Sequence, residues 1–394
     1  MKAGSFPFLV VITAVVAFGP VSTDLYLPTL PAIAAALDAS VSQSQLTLSL
    51  FLAVMGLGQL VTGPLSDRYG RKPVLAFGIG LFSAGSVVCF VAPTIEVLLI
   101  GRLIQGLGAS CGPVVARAVI RDLFEGDRAA RILAYLVTAM AMAPMVAPSL
   151  GGLLGSLFGW RAPFGLLLVY GLLLFVIVGL RLPETNRRIG QQTFDLANLF
   201  GTYGLLLRED GLRWLALVYA LSFSALFTYI SASPFVFIEV MGLKPAVFGL
   251  VFGVGVGGFI VGGLISGRTA EAWGAKLLLR AGVLITLTGG LIMAALSAAR
   301  IETVAAVLGP QIVIALGLGL VLPNAMALAL QPHPSRAGAA SAVVGGSQMG
   351  LSALLGAVVG LLHDGTTWPM AAQIGLLSFL AFLAWARFCA LKCR

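Results

Sequence analysis

The sequence predicts an all-α membrane protein with twelve transmembrane helices in two six-helix bundles. Of its 394 residues, 59% are hydrophobic and 10% are charged, whereas a soluble domain carries about 25% charged residues. Apolar runs of about twenty residues recur along the whole chain, and each is long enough to cross a bilayer as a helix. Because backbone in lipid must satisfy its own hydrogen bonds, and because these runs do not alternate apolar and polar residues, helices are favoured over barrel strands.

Hydropathy and helix-breaking residues place the spans in two groups of six. The first group lies near residues 7–31, 45–66, 74–92, 97–120, 129–153 and 162–181, and the second near 213–238, 246–266, 277–298, 303–328, 337–361 and 368–388. We expect an N-terminal six-helix bundle in residues 1–181, a cytoplasmic linker in 182–212 with Arg187 and Arg188, and a C-terminal six-helix bundle in 213–394. The N-terminal apolar run resembles a signal peptide but lacks a convincing small-residue cleavage site, so we expect an uncleaved first span.

The basic residues are divided unequally between the two sides of the predicted membrane. If the N-terminus is inside, only Arg161, Lys244 and Arg300 fall in loops on the far side, and Arg102 lies within a span. This asymmetry follows the positive-inside rule, so the net charge of +9 needs no nucleic-acid partner. Twelve spans then place both termini in the cytoplasm. The four cysteines show no metal-ligand spacing, and we expect small buried side chains without a metal or cofactor.

An acidic residue lies deep in the first predicted span. Asp24 follows an apolar run from Phe6 to Pro20, and a charged residue at such a depth costs about 2.5–3.5 kcal/mol on insertion scales. Counted along the helices, Asp24 in span 1 and Arg102 in span 4 both lie roughly 10 Å below the outer surface. We expect the two side chains to share a polar cavity in which Asp24 alternately binds and releases a proton. A fixed ion pair that joins spans 1 and 4 is the structural alternative.

Two patterns typical of enzymes occur in the wrong context. The glycine-rich segment Gly253–Gly258 matches a dinucleotide-binding pattern, but it lies inside an apolar span with no strand before it. Ser110 lies in a G-x-S-x-G pattern, but His333 and His363 are predicted in loops on opposite faces, so neither reaches it as a base. No Walker-type phosphate-binding pattern is present. The sequence therefore argues against an enzyme and against an ATP-driven pump.

Four segments of the first half form motifs along spans 1 to 5. In chain order they are Asp24-Leu-Tyr26-Leu-Pro28-Thr-Leu-Pro31, Gly63-Pro-Leu-Ser-Asp67-Arg68-Tyr-Gly70-Arg71-Lys72, Arg102-Leu-Ile-Gln105-Gly106-Leu-Gly108 and Pro144-Met-Val-Ala-Pro148-Ser-Leu-Gly151-Gly152. These motifs resemble those of the major facilitator superfamily, in particular its proton-coupled drug exporters of the Bcr/CflA type, which include bicyclomycin and chloramphenicol exporters. In the second half, Ser231-Ala-Ser-Pro234-Phe-Val-Phe-Ile-Glu239 is similar to the bicyclomycin-resistance branch. Span 5 departs from the family pattern, because Ala143 and Ala147 stand where Gly is common.

The resemblance implies the major facilitator fold and an antiporter that exports small amphipathic drugs, such as bicyclomycin, chloramphenicol or sulfonamides, in exchange for protons. It implies that Asp24 and Arg102 couple transport to protons, that the chain is a monomer in a bacterial cytoplasmic membrane, and that no cofactor is used. A proton-coupled carrier for a sugar or amino acid is an alternative on the same fold. A membrane receptor or scaffold is a third class, and it would tolerate the replacement of Asp24.

The turn after span 2 carries charges that topology alone does not explain. Gly70 permits the positive φ that so short a turn demands. The positive-inside rule accounts for Arg68 and Lys72, but acidic residues contribute little to topology, so Asp67 needs another reason. We expect Asp67 to accept backbone N–H groups at a helix N-terminus or to pair near Arg117 or Arg121, and Arg71 to pair with Asp122. The predicted cytoplasmic gate consists of Asp67, Arg68, Gly70, Arg71 and Asp122.

Two further sets of residues are candidates for the transport pathway. The antiporter motif of span 5, formed by Pro144, Pro148, Gly151 and Gly152, is expected to bend the helix and allow close packing, although packing alone is a sufficient reason for such residues. Polar residues within spans are candidates for the substrate cavity, with hydrogen bonding between helices as the alternative. These cavity candidates are Tyr26, Gln59, Gln105, Tyr229, Asn324 and Gln348.

Overall fold

The computed structural model describes residues 5–124, 126–186, 189, 196–333 and 336–391, with side chains described outside 126–131, 133–141, 196–200 and 202. All regular elements in these residues are helical. The chain folds into two compact units, Met1–Phe194 and Asp195–Arg394. The boundary between the units falls within the predicted linker, where Arg187 and Arg188 lie outside the described residues. A helix that the sequence did not predict, α10 (Leu196–Arg208), occupies the second part of this stretch.

The first unit contains nine α-helices. They are α1 (Phe6–Val16), α2 (Phe18–Asp24), α3 (Leu30–Ala36), α4 (Val41–Tyr69), α5 (Arg71–Val91), α6 (Ile95–Ala109), α7 (Cys111–Leu123), α8 (Gly126–Phe158) and α9 (Ala162–Arg181). A capping box starts α4, because Ser40 Oγ accepts a hydrogen bond from the Gln43 N–H while Gln43 Oε1 accepts one from the Ser40 N–H. The helix α6 begins at Thr94, whose hydroxyl oxygen accepts a hydrogen bond from the Val97 N–H.

The first span, predicted near residues 7–31, is broken into shorter helices. The helix α1 ends at Val16, and the axis of the Phe18–Ala36 segment that follows Ala17 is bent from it by 53°. A second irregularity follows Asp24, where a turn and the short 3₁₀ helix Leu27–Thr29 separate α2 from α3. Proline cannot donate a backbone hydrogen bond and obstructs the preceding turn, and Pro20, Pro28 and Pro31 all lie in this stretch.

The second unit contains α10 and five longer helices, which are α11 (Asp210–Pro234), α12 (Pro245–Ala298), α13 (Val304–Leu330), α14 (Ala337–Leu361) and α15 (Trp368–Leu391). A π-helical segment, Phe235–Val240, continues α11 beyond Pro234. The stretch between the predicted spans 246–266 and 277–298 is mostly helical, because α12 runs through it and only Gly274 leaves the helical conformation, with φ 73° and ψ 151°. The charged residues of this stretch extend the helices beyond their apolar cores instead of forming a long loop.

The helices account for the twelve predicted spans. Among the described residues, nine helices are long and apolar enough to cross a membrane, and the bent pair α1 with Phe18–Ala36 forms a tenth span. Gly274 divides the 54-residue α12 into two arms, and α8 contributes one more span, with Met142–Phe158 as its apolar part. Large apolar side chains such as Leu173, Val176 and Leu180 on α9 are exposed, as expected of a surface that faces lipid.

Glycines bring α5 and α6 into close contact within the first unit. A Cβ added at Gly85 would lie 2.5 Å from the backbone nitrogen of Gln105, and one added at Gly101 would lie 2.6 Å from Cys89 Sγ. Small residues allow helix backbones to approach in membranes, where van der Waals contact replaces the hydrophobic effect as the main attraction between helices. This contact positions the stretch of α6 that carries Arg102 and Gln105, both of which are fully buried.

Candidate functional site

Asp24 is a buried carboxylate at the end of α2. Only 3% of the residue is exposed. Its Oδ1 accepts a hydrogen bond of 3.0 Å from Thr23 Oγ1, and Thr23 in turn lies within hydrogen-bond distance of the carbonyl oxygens of Gly19 and Pro20. No cationic side chain of the described residues comes within 4.0 Å of the Asp24 carboxylate. The structure therefore surrounds this acid with neutral groups.

Arg102 is fully buried in α6, and its guanidinium is held by neutral acceptors and aromatic rings. Its Nη1 donates to Gln105 Oε1 at 2.7 Å and to the Ser22 carbonyl at 3.3 Å, and its Nε donates to the Thr47 carbonyl at 3.3 Å. The guanidinium carbon lies 4.5 Å from the centre of the Tyr26 ring and 4.1 Å from that of Phe51, which is cation–π geometry. The second terminal nitrogen, Nη2, has no hydrogen-bond partner among the described residues.

A chain of hydrogen bonds continues outward from Arg102. Gln105 Nε2 donates to Ser86 Oγ at 2.7 Å, and the hydroxyls of Tyr26 and Thr47 share a hydrogen bond of 2.9 Å. Two of the predicted cavity residues, Tyr26 and Gln105, are thus fully buried first neighbours of Arg102. In this structure their polar atoms serve to hold the guanidinium.

The fixed ion pair between spans 1 and 4, the structural alternative from the sequence, is wrong for this structure. The backbone of Ser22 and the ring of Tyr26, four residues apart, both contact Arg102. Asp24 lies two residues from each of them, and on a helix a residue at that spacing points away from the shared face. Span 1 therefore contacts Arg102 at the depth that the sequence predicted, but through Ser22 and Tyr26. The Asp24 carboxylate, two residues from each, points away from Arg102.

A second charged cluster lies at the turn between α4 and α5. Gly70 has φ 100°, and Arg71 Nη1 lies 2.5 Å from Asp67 Oδ1 while Arg71 Nε lies 3.0 Å from Asp122 Oδ2. Arg71 Nη1 also donates to Ser66 Oγ at 2.6 Å. The partner of Asp67 is therefore Arg71, and the expectation of a backbone contact or of a partner near Arg117 or Arg121 was wrong. Asp67 lies in the last turn of α4 and Arg71 is the first residue of α5, so the turn at Gly70 brings the two side chains together. Arg68 is exposed and lies beside the ring of Tyr69.

Glu184, which the sequence analysis did not single out, lies just after the end of α9 and contacts the same cluster at the start of α5. Its Oε1 accepts hydrogen bonds from the N–H groups of Arg71, Thr185 and Asn186, and its Oε2 accepts one from the N–H of Lys72, all at 2.8–3.0 Å. A carboxylate at the first N–H groups of α5 is favoured by the helix dipole. Burial acts to raise the pKa of the Glu184 carboxyl, but the four backbone donors together hold that pKa below its ordinary value.

Two residues next to Glu184 complete the contact. Thr185 Oγ1 donates to Asp122 Oδ2 at 3.0 Å, and Asn186 Nδ2 donates to the Asp67 carbonyl at 2.8 Å. The reasoning that singled out Asp67, an acid without a role in topology, applies equally to Glu184 and would have found it. We call these residues, Asp67, Arg71, Asp122 and Glu184, the turn cluster.

The antiporter motif packs against the broken part of span 1. The helix α8 continues through Pro144 and Pro148. A Cβ added at Gly151 would overlap the carbonyl oxygen of Leu25, and one added at Gly155 would overlap the methyl group of Thr29. Gly152 is buried beside Gly151. The glycines of α8 thus let its backbone touch the residue that follows Asp24.

The other predicted cavity residues are distributed over both units. In the first unit, Gln59 is half-buried on α4. In the second, Tyr229 is fully buried on α11, Asn324 is buried on α13 and Gln348 is half-buried on α14. Asn324 Nδ2 donates to Ser266 Oγ and to the Leu320 carbonyl, both at 2.7 Å, which is the interhelical role that the sequence left open. Glu239 is exposed at the end of the π-helical segment.

Comparison with known proteins identifies the family. Residues 10–357 match the family model described as Major Facilitator Superfamily. The chain belongs to the Major Facilitator Superfamily. It is therefore a multi-pass membrane protein of a transporter family, and this membership indicates a transporter rather than an enzyme.

Two relatives and one solved structure agree with this membership. The chain is 34% identical over 375 residues to an uncharacterized MFS-type transporter, YdgK, of Bacillus subtilis, with 93% of this chain and 91% of the relative covered. It is 28% identical over 390 residues to a bicyclomycin resistance protein homolog of Haemophilus influenzae, with 98% and 96% covered. A bacterial homolog of the human lysosomal transporter Spinster has a similar fold, with a TM-score of 0.76 at 17% identity over 98% of this chain and 99% of that one.

Proposed function

We propose that the protein exports small amphipathic compounds, antibiotics among them, in exchange for protons, and that Asp24 is the group that carries the proton. The observation that carries the proposal is a buried carboxylate in a membrane span whose one side-chain partner is the neutral Thr23. An ionised carboxylate in such surroundings is costly, and a bound proton removes that cost. The name of the Haemophilus influenzae relative, a bicyclomycin resistance protein homolog, supports a drug as the substrate.

Arg102 gives the deprotonated acid a second environment. Its Nη2 has no partner, so a carboxylate oxygen that approached it would gain a charge-assisted hydrogen bond without displacing another acceptor. The irregular backbone after Asp24, from Leu25 to Thr29, is where span 1 can change shape at low cost. In this scheme, Asp24 is neutral when turned away from Arg102 and ionised when it approaches Arg102.

The free energy available to such an exchange is sufficient for export. A proton that moves inward gains about 2.3 kcal/mol per 100 mV of membrane potential and about 1.4 kcal/mol per pH unit. One proton per neutral drug molecule then supports a concentration gradient of a few hundredfold at 100 mV and one pH unit.

The turn cluster serves as a gate in this proposal. With the N-terminus inside, as the positive-inside rule requires, the cluster lies on the cytoplasmic side. It joins the start of α5 to α7 through Arg71 and Asp122 and to the end of α9 through Glu184. These contacts stabilise the conformation in which the three helix ends are joined. Alternating access requires the contacts to break and to form again in each transport cycle. We propose a monomer in a bacterial cytoplasmic membrane, with both termini in the cytoplasm.

The proposal is tested with purified protein in lipid vesicles that contain a pH-sensitive dye. Addition of chloramphenicol or bicyclomycin to wild-type vesicles with a pH gradient is expected to accelerate proton movement, and Asp24→Asn is expected to remove at least nine-tenths of that acceleration, because the amide cannot release a proton. The control is Glu239→Gln, which changes an exposed acid and leaves proton movement unchanged. Unchanged coupling in Asp24→Asn would refute the role of Asp24. Coupling to sugars or amino acids, and not to the antibiotics, would favour a metabolite carrier.

A further inference from the structure

The two units differ in the kind of polar group that they bury. Among the described residues, the buried charged side chains are Asp24, Arg71 and Arg102, and all three belong to the first unit. The buried polar side chains of the second unit are serines, threonines, glutamines and one asparagine. An interior without charged side chains offers no counter-ion to a cationic or anionic ligand, so it favours ligands with neutral hydrogen-bonding groups.

Three helices of the second unit bring such groups to one place. A Cβ added at Gly255 of α12 would lie 2.8 Å from the hydroxyl oxygen of Tyr229 on α11 and 3.5 Å from Cγ of Gln311 on α13. The Tyr229 hydroxyl and the Gln311 side chain therefore both lie close to Gly255, at a point where α12 carries no side chain. We call Tyr229, Gly255 and Gln311 the neutral cluster.

The polar atoms of the neutral cluster have no partners among the described residues. Both residues are fully buried, and the Tyr229 hydroxyl and both the nitrogen and the oxygen of the Gln311 amide lack a hydrogen bond. Native proteins rarely leave buried polar atoms in this state, because each one loses its hydrogen bonds to water without replacement. Such atoms therefore need a reason beyond the stability of the fold.

Other buried amides in the same unit behave differently. Asn324 Nδ2 makes two hydrogen bonds of 2.7 Å, and Gln373 Nε2 donates to Thr228 Oγ1 at 2.9 Å and to the Leu355 carbonyl at 2.8 Å. These amides join helices. Gln311 joins none, which separates it from residues whose role is to hold the bundle together.

Aromatic rings frame the neutral cluster. The Phe252 ring lies 5.5 Å from that of Tyr229 at an interplanar angle of 15°, and the Phe237 ring meets Tyr229 edge-on at 6.4 Å. Ligand sites are mostly apolar, with a few polar groups that fix orientation. Rings around one hydroxyl and one amide fit an amphipathic molecule with an uncharged polar group.

We propose that the neutral cluster is a substrate subsite that binds an amide, hydroxyl or carbonyl group of an uncharged compound. The inference rests on the proposed function, and it assigns the substrates to neutral molecules with hydrogen-bonding groups. The Gln311 amide supplies both a donor and an acceptor, and the Tyr229 hydroxyl supplies either. The proton is then carried in the first unit and the substrate's polar group is bound in the second.

The test measures binding and stability in the same variants. Purified protein in detergent is titrated with chloramphenicol and with bicyclomycin, and its melting temperature is measured without drug. Gln311→Leu and Tyr229→Phe are each expected to weaken the binding of at least one of these antibiotics about tenfold, the effect of one lost hydrogen bond. Without drug, both variants are expected to melt at or above the wild-type temperature, because apolar atoms replace polar atoms that have no partner.

Gly255→Ala supplies a third variant with a matched control. The added methyl group would lie only 2.8 Å from the Tyr229 hydroxyl and would displace it from its position in the neutral cluster, whereas a methyl group at Gly257, on the same helix, would meet no atom within 4 Å. We expect weaker binding from Gly255→Ala and unchanged binding from Gly257→Ala.

The outcomes separate this inference from the proposed function. If wild-type protein binds the antibiotics and the variants bind them equally well, the subsite is refuted and the proposed function stands. If Gln311→Leu and Tyr229→Phe lower the melting temperature together with the affinity, the two residues support the fold and the subsite is refuted. If wild-type protein neither binds the antibiotics nor moves protons in their presence, both proposals are refuted.

Discussion

Arg102 shows how a single residue can be buried with its charge and still be available for new contacts. Its guanidinium contacts two carbonyl oxygens, one amide oxygen and two aromatic faces, while its Nη2 has no hydrogen-bond partner among the described residues. Neutral acceptors make a buried cation tolerable without neutralising it. A carboxylate that approaches this guanidinium therefore meets a full positive charge, and this is what the coupling of Asp24 requires.

At the same scale, the contacts of Glu184 predict how the stability of the protein depends on pH. Its folded-state pKa lies below the ordinary value of 4.5, so its contribution to stability is fully present above pH 4.5 and is lost as the pH falls through the lower, folded-state pKa. We expect Glu184→Gln to lower the melting temperature at pH 7 by a few degrees, since the neutral amide offers one acceptor oxygen to four N–H donors.

The melting temperatures of wild type and Glu184→Gln should converge as the pH falls below 4.5. The control is Glu271→Gln, an exposed acid near the turn of α12, which should melt with wild type at every pH. A difference between Glu184→Gln and wild type that persisted unchanged in acid would contradict the assigned role.

At the scale of helices, span 1 is shaped by its contact with α8. The Leu25 carbonyl, next to Asp24, touches the backbone of Gly151 closely enough that no side chain fits. The antiporter motif thereby packs against the irregular segment of backbone next to Asp24, the proposed proton site. The glycines of α8 matter in this structure because they allow the irregular backbone of span 1 to pack directly against α8.

This contact predicts an asymmetry between two glycine variants. Gly151→Ala would force α8 away from Leu25, and an extra methyl group in a packed interior costs about 1–3 kcal/mol. We expect it to reduce drug-driven proton movement in vesicles severalfold or more. Gly179→Ala on α9, where an added Cβ meets no atom within 4 Å, should transport as wild type does. Equal activity of the two variants would show that the contact with Leu25 is dispensable.

Sequence predicted the helices better than their interruptions. Hydropathy placed all twelve spans, because long apolar runs have few alternatives in lipid. It did not predict the bend at Ala17, because Pro20 and Pro28 indicate an irregular helix but not where or in which direction that helix bends. Counting residues along the spans predicted that Asp24 and Arg102 lie at the same depth. It did not predict the direction in which the Asp24 side chain points, because that direction depends on the irregular backbone that follows Asp24. Gln311, a glutamine in an apolar span, was visible in the sequence. Only the three-dimensional structure shows that neither polar atom of its amide has a hydrogen-bond partner among the described residues.

At the scale of the molecule, the two units bury different kinds of polar group. Both are bundles of apolar helices, but among the described residues the buried charged side chains all belong to the first unit and the second unit buries neutral polar groups. A transporter that separates proton binding from substrate binding needs a coupling between them. Thermodynamic linkage then requires that substrate and proton each change the affinity for the other by the same factor.

Proton release on drug binding tests this coupling most directly. Purified protein in weakly buffered detergent solution is mixed with saturating chloramphenicol or bicyclomycin, and the change in pH is measured with an indicator dye. The account predicts that wild-type protein releases roughly one proton per bound drug molecule and that Asp24→Asn, while still binding the drug, releases none. Equal proton release from wild type and Asp24→Asn, or drug binding to wild type without any release, would contradict it.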